Sequence, residues 1–219
     1  MVAAKRIVRI STRNFVVKLE SQYGFSYILD NRMFLLSKPD SNAIDSFLRD
    51  RGTEVFSYAE IGGTAGTPPA GYDIDHNRIL LGQGEQAFER AKLAIRSWKM
   101  FEVPGVRLIR PDTPIEPGRD VVLFASHLGF YSLNSCRIVY VIDESDRYGF
   151  AYGTLTEHVE IGEERFTVEL DRETGEVWYD ILAFSRPGHI LVKFGYPYGR
   201  YLQRRFAVES KAAMLRAVR

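Results

Sequence analysis

Hydrophobic and polar positions follow two different periods along this chain. In the segment GEQAFERAKLAIRSWKMF, Phe88, Ala91, Ile95 and Trp98 recur at i, i+3, i+7 and i+10, which predicts a helix over 84–101 with one buried stripe. Glu85 and Glu89 stand near its positive end and Lys99 near its negative end. Before it, YDIDHNRILLG reads as a strand. After it the period changes to two, and VRLI, DVVLFASH, CRIVYVID, YGFAYGTL, ERFTVEL and EVWYDILAFS predict strands in a row. Short turns such as DRETGE join several of them, which favours antiparallel neighbours. Helical spacing returns over 198–218, where Leu202, Phe206 and Ala213 lie near one face.

Towards the N-terminus, GFSYILDNRMFLLSK predicts two short strands around an Asp30-Asn31 turn. KPDSNAIDSFLRDRG predicts a short helix capped by Asp40 or Ser41, with Ile44, Phe47 and Leu48 on one face and Gly52 at its end. EIGGTAGTPPAGY is a Gly/Pro loop. It is not a phosphate cradle, because Thr67-Pro68-Pro69 stands where Gly-Lys-Ser/Thr is needed and prolines offer no N–H.

With 219 residues, 45% hydrophobic and 26% charged, the chain can bury a large core. A net charge of +1 gives no global field for nucleic acid. Cys136 is the single cysteine, so no internal disulfide forms and a reducing, cytoplasmic compartment is expected. The alternative is organellar. MVAAKRIVRISTRNFVVK is basic and free of acids before Glu20, as a transit segment would be, although RIVRI and FVVKL also read as strands. No stretch is long and apolar enough to span a membrane. His76, His127, His158 and His189 form no close pair and there is no Cys-x-x-Cys, so no metal is expected. No cofactor motif and no Gly-x-Ser-x-Gly nucleophile is present. Six basic residues between Arg200 and Arg219 read as a solvated helix face.

The candidate site lies in YGFAYGTLTEHVEIGEERFTVEL, residues 148–170. By alternation, Glu164 shares the apolar side with Phe166, Val168 and Leu170, while Glu163 and Arg165 look outward. The adjacent carboxylates therefore point apart and are no glycosidase pair. An inward Glu164 needs a partner. Candidates are Arg186, on the face of Trp178, Asp180, Leu182 and Phe184; His76 and Arg78, on one face of the first strand; or a tyrosine hydroxyl. A buried arginine pair would make Glu164→Gln cost about 3–5 kcal/mol. An outward Glu163→Gln would cost about 0.5 kcal/mol or less. Tyr152 and Thr154 share a face, and Gly153 opposite them signals a bulge or the close approach of a ligand, a backbone or a helix. His158 sits in the turn, as a solvated residue or a functional one.

The element order resembles the helix-grip plan of Bet v 1-like, START-like and polyketide-cyclase-like domains, an α+β fold in which a curved antiparallel sheet wraps a long C-terminal helix. The motifs GTPPAGYDIDHNRILLGQGEQAFERAKLAIRSWKMF, RIVYVIDE, GFAYGTLTEHVEIGEERFTVE and AFSRPG resemble the family of uncharacterised domains DUF1990, from about Phe34 onward. The resemblance implies a soluble protein with a helix-grip core and implies no activity. The expected organisation is an N-terminal extension over 1–33 and a single domain over 34–219. Three functions stand. The first is a binding protein for a small apolar or amphipathic molecule, anchored by His76, Arg78, Tyr152, Thr154, His158, Glu164 and Arg186 in a cavity between sheet and helix. The second is an enzyme for proton abstraction, cyclisation or hydrolysis with Glu164 or His158 as base. The third is a partner-binding adaptor with a filled core.

Overall fold

The alternating segments come together as one antiparallel sheet in the computed structural model, which describes residues 17–20, 26–29, 34–35, 38–49, 54–127, 129–156, 158, 160–188 and 196–219. Its strands are β1 (Val17–Glu20), β2 (Ser26–Leu29), β3 (Phe34–Leu35), β4 (Asp73–Gln83), β5 (Val106–Ile109), β6 (Asp120–His127), β7 (Phe130–Asp143), β8 (Arg147–Thr154), β9 (Glu160–Leu170) and β10 (Glu176–Pro187). Its helices are α1 (Ser41–Arg49), α2 (Gly84–Arg96) and α3 (Tyr196–Val218). The main sheet runs β4-β10-β9-β8-β7-β6-β5, and every pairing in it is antiparallel. The sheet curls, with α2 packed on β4, β8, β9 and β10 and α3 on β4 and β10. This is the expected α+β helix-grip fold.

The two halves of α3 do different work. Met214 and Val218 are buried in the main core with Phe88, Ile95, Phe150, Phe166 and Tyr179, and Arg90 Nε donates to the Val218 carbonyl at 2.7 Å. The half before Ser210 borders open space with Leu202 and Gln203 and touches the core through Phe206 and Ala207. The Ser210–Tyr179 hydroxyl contact, 2.9 Å, marks the change. The predicted helix over 84–101 stops at Arg96. Trp98 takes a left-handed conformation (φ 56°) and a 3-10 turn over Lys99–Phe101 follows. That break tucks the indole, Met100 and Phe101 into the core, with the indole N–H on the Thr113 carbonyl at 3.0 Å.

The convex face is also covered. α1, capped by Asp40 Oδ1 on the Ala43 N–H at 2.8 Å, packs Phe47, Ile44 and Leu48 on Val122, Phe124 and Leu133. The Gly/Pro loop lies over β8–β10. Among the described residues, β2 pairs with β1 and β3 pairs with β7; the expected Asp30-Asn31 turn lies outside the described residues. β7 begins at Phe130 rather than Cys136, and its added length offers an edge that β8 does not reach; β3 takes it. Residues 1–16 of the basic segment lie outside the described residues, and the segment's end, Val17–Glu20, is strand.

Candidate functional site

A cavity of about 680 Å³ lies between the concave face of the sheet and the first half of α3. Its walls are largely apolar and aromatic, among them Val106, Leu123, Ile181, Leu202 and Phe206. Phe206 stacks on Phe101 and meets Phe166 edge-on, joining the cavity wall to the main core.

Strand register builds the polar part. Tyr152 of β8 stands opposite Glu164 of β9, Glu164 opposite Ala183 of β10, and Ala183 opposite Asp75 of β4. One row across four strands thus presents a phenol, a carboxyl, a methyl and a second carboxyl. The next inward position on β9 is Gly162, opposite Ser185, and the one beyond it is Glu160. Gly162, Ala183 and Ser185 therefore form a floor of small residues, edged by Glu160, Glu164 and Asp75. All six line the cavity.

Each carboxyl has a different partner. Arg200 of α3 holds Asp75 through two bonds of 2.5 and 2.7 Å. Gln203, one turn on, donates to Glu160 at 2.6 Å and to Ser185 at 3.0 Å. Tyr152 donates to Glu164 at 2.8 Å. Burial pushes the Glu164 carboxyl up to about 7, against the Tyr152 bond and with the help of repulsion from Glu160 and Asp75. Burial raises Glu160 too, opposed by Gln203 and Arg200. His158 also lines the cavity. Its Nδ1 lies 3.0 Å from the Glu160 backbone nitrogen and 3.1 Å from the Glu160 carbonyl oxygen, and burial lowers its value to about 4, so the ring is neutral. Thr154 Oγ1 bridges the Gly162 backbone and Ser57, fixing the mouth of the β8–β9 turn.

Of the residues singled out in the sequence, Tyr152, Thr154, His158 and Glu164 meet at this cavity, and the tyrosine hydroxyl is the partner Glu164 has. His76, Arg78 and Arg186 do not meet there. Asp75, Asn77, Ile79 and Leu81 point inward on β4, which sends His76 and Arg78 to the convex face. His76 bonds Asp180 there, and Arg78 covers the Trp178 ring at 4.6 Å. Arg186 covers the Tyr72 ring at 4.6 Å. The reason is that β10 is apolar on both sides. Tyr179, Ile181 and Ala183 face the cavity side, while Phe184 is buried under the Gly/Pro loop against Tyr58 and Tyr72.

Glu163 is a second correction. It does point outward, yet it is only 2% exposed. Its two oxygens accept from Tyr58 Oη (2.6 Å), Gly62 N (2.8 Å), Thr64 N (2.9 Å) and Thr64 Oγ1 (2.5 Å), so it anchors the Gly/Pro loop. Arg165 extends the network from Thr64 O (2.9 Å) to Asp180 (3.2 Å). Tyr58 lies across Gly153, where any Cβ would collide with its ring, so the close approach is made by a side chain and not by the ligand, backbone or helix expected. Cys136 is fully buried and its thiol is pushed up by burial, so it is no nucleophile. Asp75, Glu160, Arg200 and Gln203 escaped the sequence reading. A signal existed for Asp75, which alternates in phase with Ile79 and Leu81.

The molecule is thus a helix-grip α+β protein with an internal cavity that carries carboxyls on a floor of small residues. Within that class it belongs to the family described as Domain of unknown function (DUF1990), which matches residues 57–213. It is 36% identical over 207 residues to a UPF0548 protein of Dictyostelium discoideum, covering 85% of this chain and 96% of that one. A UPF0548 protein of Deinococcus radiodurans is 37% identical over 199 residues, covering 84% and 98%. Among solved structures, the chain is similar to Ara h 8.0201 (TM-score 0.45, 13% identity, 68% of this chain and 98% of that one). It is also similar to ginseng major latex-like protein 151 from Panax ginseng (TM-score 0.40, 15% identity, 66% and 95%).

Proposed function

We propose that the chain binds one small amphipathic molecule between the sheet and α3, its apolar body against Leu123, Ile181 and Phe206 and its polar head over Ala183. The observation that carries this reading is the cavity itself. At about 680 Å³ it falls within the range of small-molecule sites, roughly 300–1,000 Å³, and it combines apolar walls with a few convergent polar groups. A filled-core adaptor is not supported, since such a core leaves no space of this size. The test is titration with N-phenylnaphthylamine, a neutral dye that fluoresces in apolar surroundings. Wild type should bind it, and Ala183→Phe, which projects a ring into the cavity, should weaken binding at least about tenfold. Absence of binding to wild type, or equal binding to both proteins, overturns the reading.

A second reading, catalysis in the same cavity, is favoured by one observation. Glu164 titrates near neutrality, faces the cavity and is held by Tyr152. A carboxyl so poised suits proton abstraction at neutral pH. Its test is exchange of a carbon-bound hydrogen of the natural ligand with deuterated solvent. Exchange that Glu164→Gln abolishes supports catalysis; exchange unaffected by that change removes it.

A further inference from the structure

The cavity holds more carboxyls than it neutralises, and their arrangement bears on the ligand's chemistry. Asp75 is matched by the two bonds from Arg200. Glu160 takes its hydrogen bond from the neutral donor Gln203, with the Arg200 charge nearby but given to Asp75, and Glu164 takes its bond from the neutral donor Tyr152. Across the cavity, Arg205 and Glu209 of α3 pair with each other at 2.8 Å. Arg204 lines it at an exposed, solvent-facing position. Between Glu160 and Glu164 the strand carries Gly162, and Ala183 lies beside Glu164, so only small residues of the sheet stand between the two carboxyls, with Thr154 and Gln203 bonded at the Gly162 and Glu160 side.

We infer that the bound molecule carries a cationic nitrogen, an amine, amidine or guanidine, seated over Gly162 and Ala183 between Glu160 and Glu164. This rests on the binding reading above and adds the chemical class of the head group. A buried carboxylate with only neutral donors is costly, and a ligand cation supplies the missing charge with charge-assisted hydrogen bonds. A bare metal ion fits less well, because among the described residues no three His, Cys, Asp or Glu side chains converge as a metal site. An organic cation can span carboxyls that a metal ion cannot gather.

The protonation of Glu164 agrees with this. The ionisable groups around it are Tyr152 from β8, Tyr179 from β10, Cys136 from β7, Asp75 from β4 and Glu160 from its own strand; none brings it a positive charge. Burial raises its value to about 7, which brings its proton into play around neutral pH. A cation beside it lowers that value, so binding at neutral pH expels a proton.

Three bicyclic probes of similar size and different charge test the inference: naphthylmethylamine, naphthylmethanol and naphthoate. Above about pH 8 wild type should bind the amine about tenfold more tightly than the alcohol, with naphthoate weakest. In Glu160→Gln/Glu164→Gln the amine's advantage should fall to about twofold or less, with the alcohol unchanged. Calorimetry of wild type near neutral pH, in buffers of different ionisation enthalpy, should show proton release for the amine and none for the alcohol. This arm needs no variant, so it stands even where the double variant does not fold. An alcohol bound as tightly as the amine, a preference for naphthoate through Arg204, or amine binding without proton release overturns the cation and leaves the binding reading in place. Failure of all three probes to bind, with the neutral dye also unbound, removes the binding reading and this inference together.

Discussion

Glu163→Gln should damage the protein far more than an outward strand position suggests. The substitution keeps the shape of the side chain and turns one oxygen into an amide nitrogen. The two backbone donors fall on different oxygens, Gly62 N–H on Oε2 and Thr64 N–H on Oε1. Whichever oxygen becomes nitrogen, a backbone N–H then faces an N–H. The hydroxyls of Tyr58 and Thr64 can turn, but the backbone cannot. One loop amide loses its acceptor and one new amide proton lacks a partner, at a site where Glu163 is 2% exposed and Thr64 is fully buried. At about 1–3 kcal/mol for each buried unsatisfied group, the expected loss for the two is about 2–6 kcal/mol. Urea or guanidinium denaturation should show it as a lower midpoint at unchanged slope. Native-state hydrogen exchange should show faster exchange at Gly62 and Thr64. A loss of about 0.5 kcal/mol or less, with both amides still protected, would refute the anchoring role.

Three further outcomes follow from the same geometry. Glu164→Gln should not destabilise at neutral pH. A carboxyl raised from 4.5 to about 7 binds more protons folded than unfolded, so its contribution falls as pH rises between those values, and denaturation midpoints of the variant should lack that fall. His158→Gln should act in the opposite sense. A histidine lowered from 6.5 to about 4 favours the folded state above its unfolded value and costs stability as pH falls between the two, so the variant should lose less stability on acidification. Gly153→Ala should push Tyr58 off β8 and lower stability by about 1–3 kcal/mol, measured by thermal or chemical unfolding, because its methyl has nowhere to go but the Tyr58 ring.

The sheet was legible because β-branched and aromatic runs are separated by short turns. β6 was read to the residue, and the split of Glu163 from Glu164 followed from period two alone. Alternation fails where both faces are apolar. β10 carries Tyr179 and Ile181 on one side and Trp178, Leu182 and Phe184 on the other, and the wrong side was taken as inward, which drew Arg186 towards a cavity it does not reach. β4 misled in the same way, with Ile74 and Leu80 exposed opposite Ile79 and Leu81. The burial of Glu163 has no local signature, because the loop that covers it lies about a hundred residues earlier in the chain. The carboxyl-edged floor depends on register across β4, β10 and β9, and on Arg200 and Gln203 arriving from α3, relations that no single segment contains.

The central claim is that the cavity between sheet and α3 holds a small molecule in the living cell. Native mass spectrometry of the protein purified gently from its own source tests this most directly. The account predicts a non-covalent mass added to the chain, lost on denaturation and absent from Ala183→Phe prepared in the same way. The bare chain mass in wild type, or an adduct that Ala183→Phe retains, would contradict it.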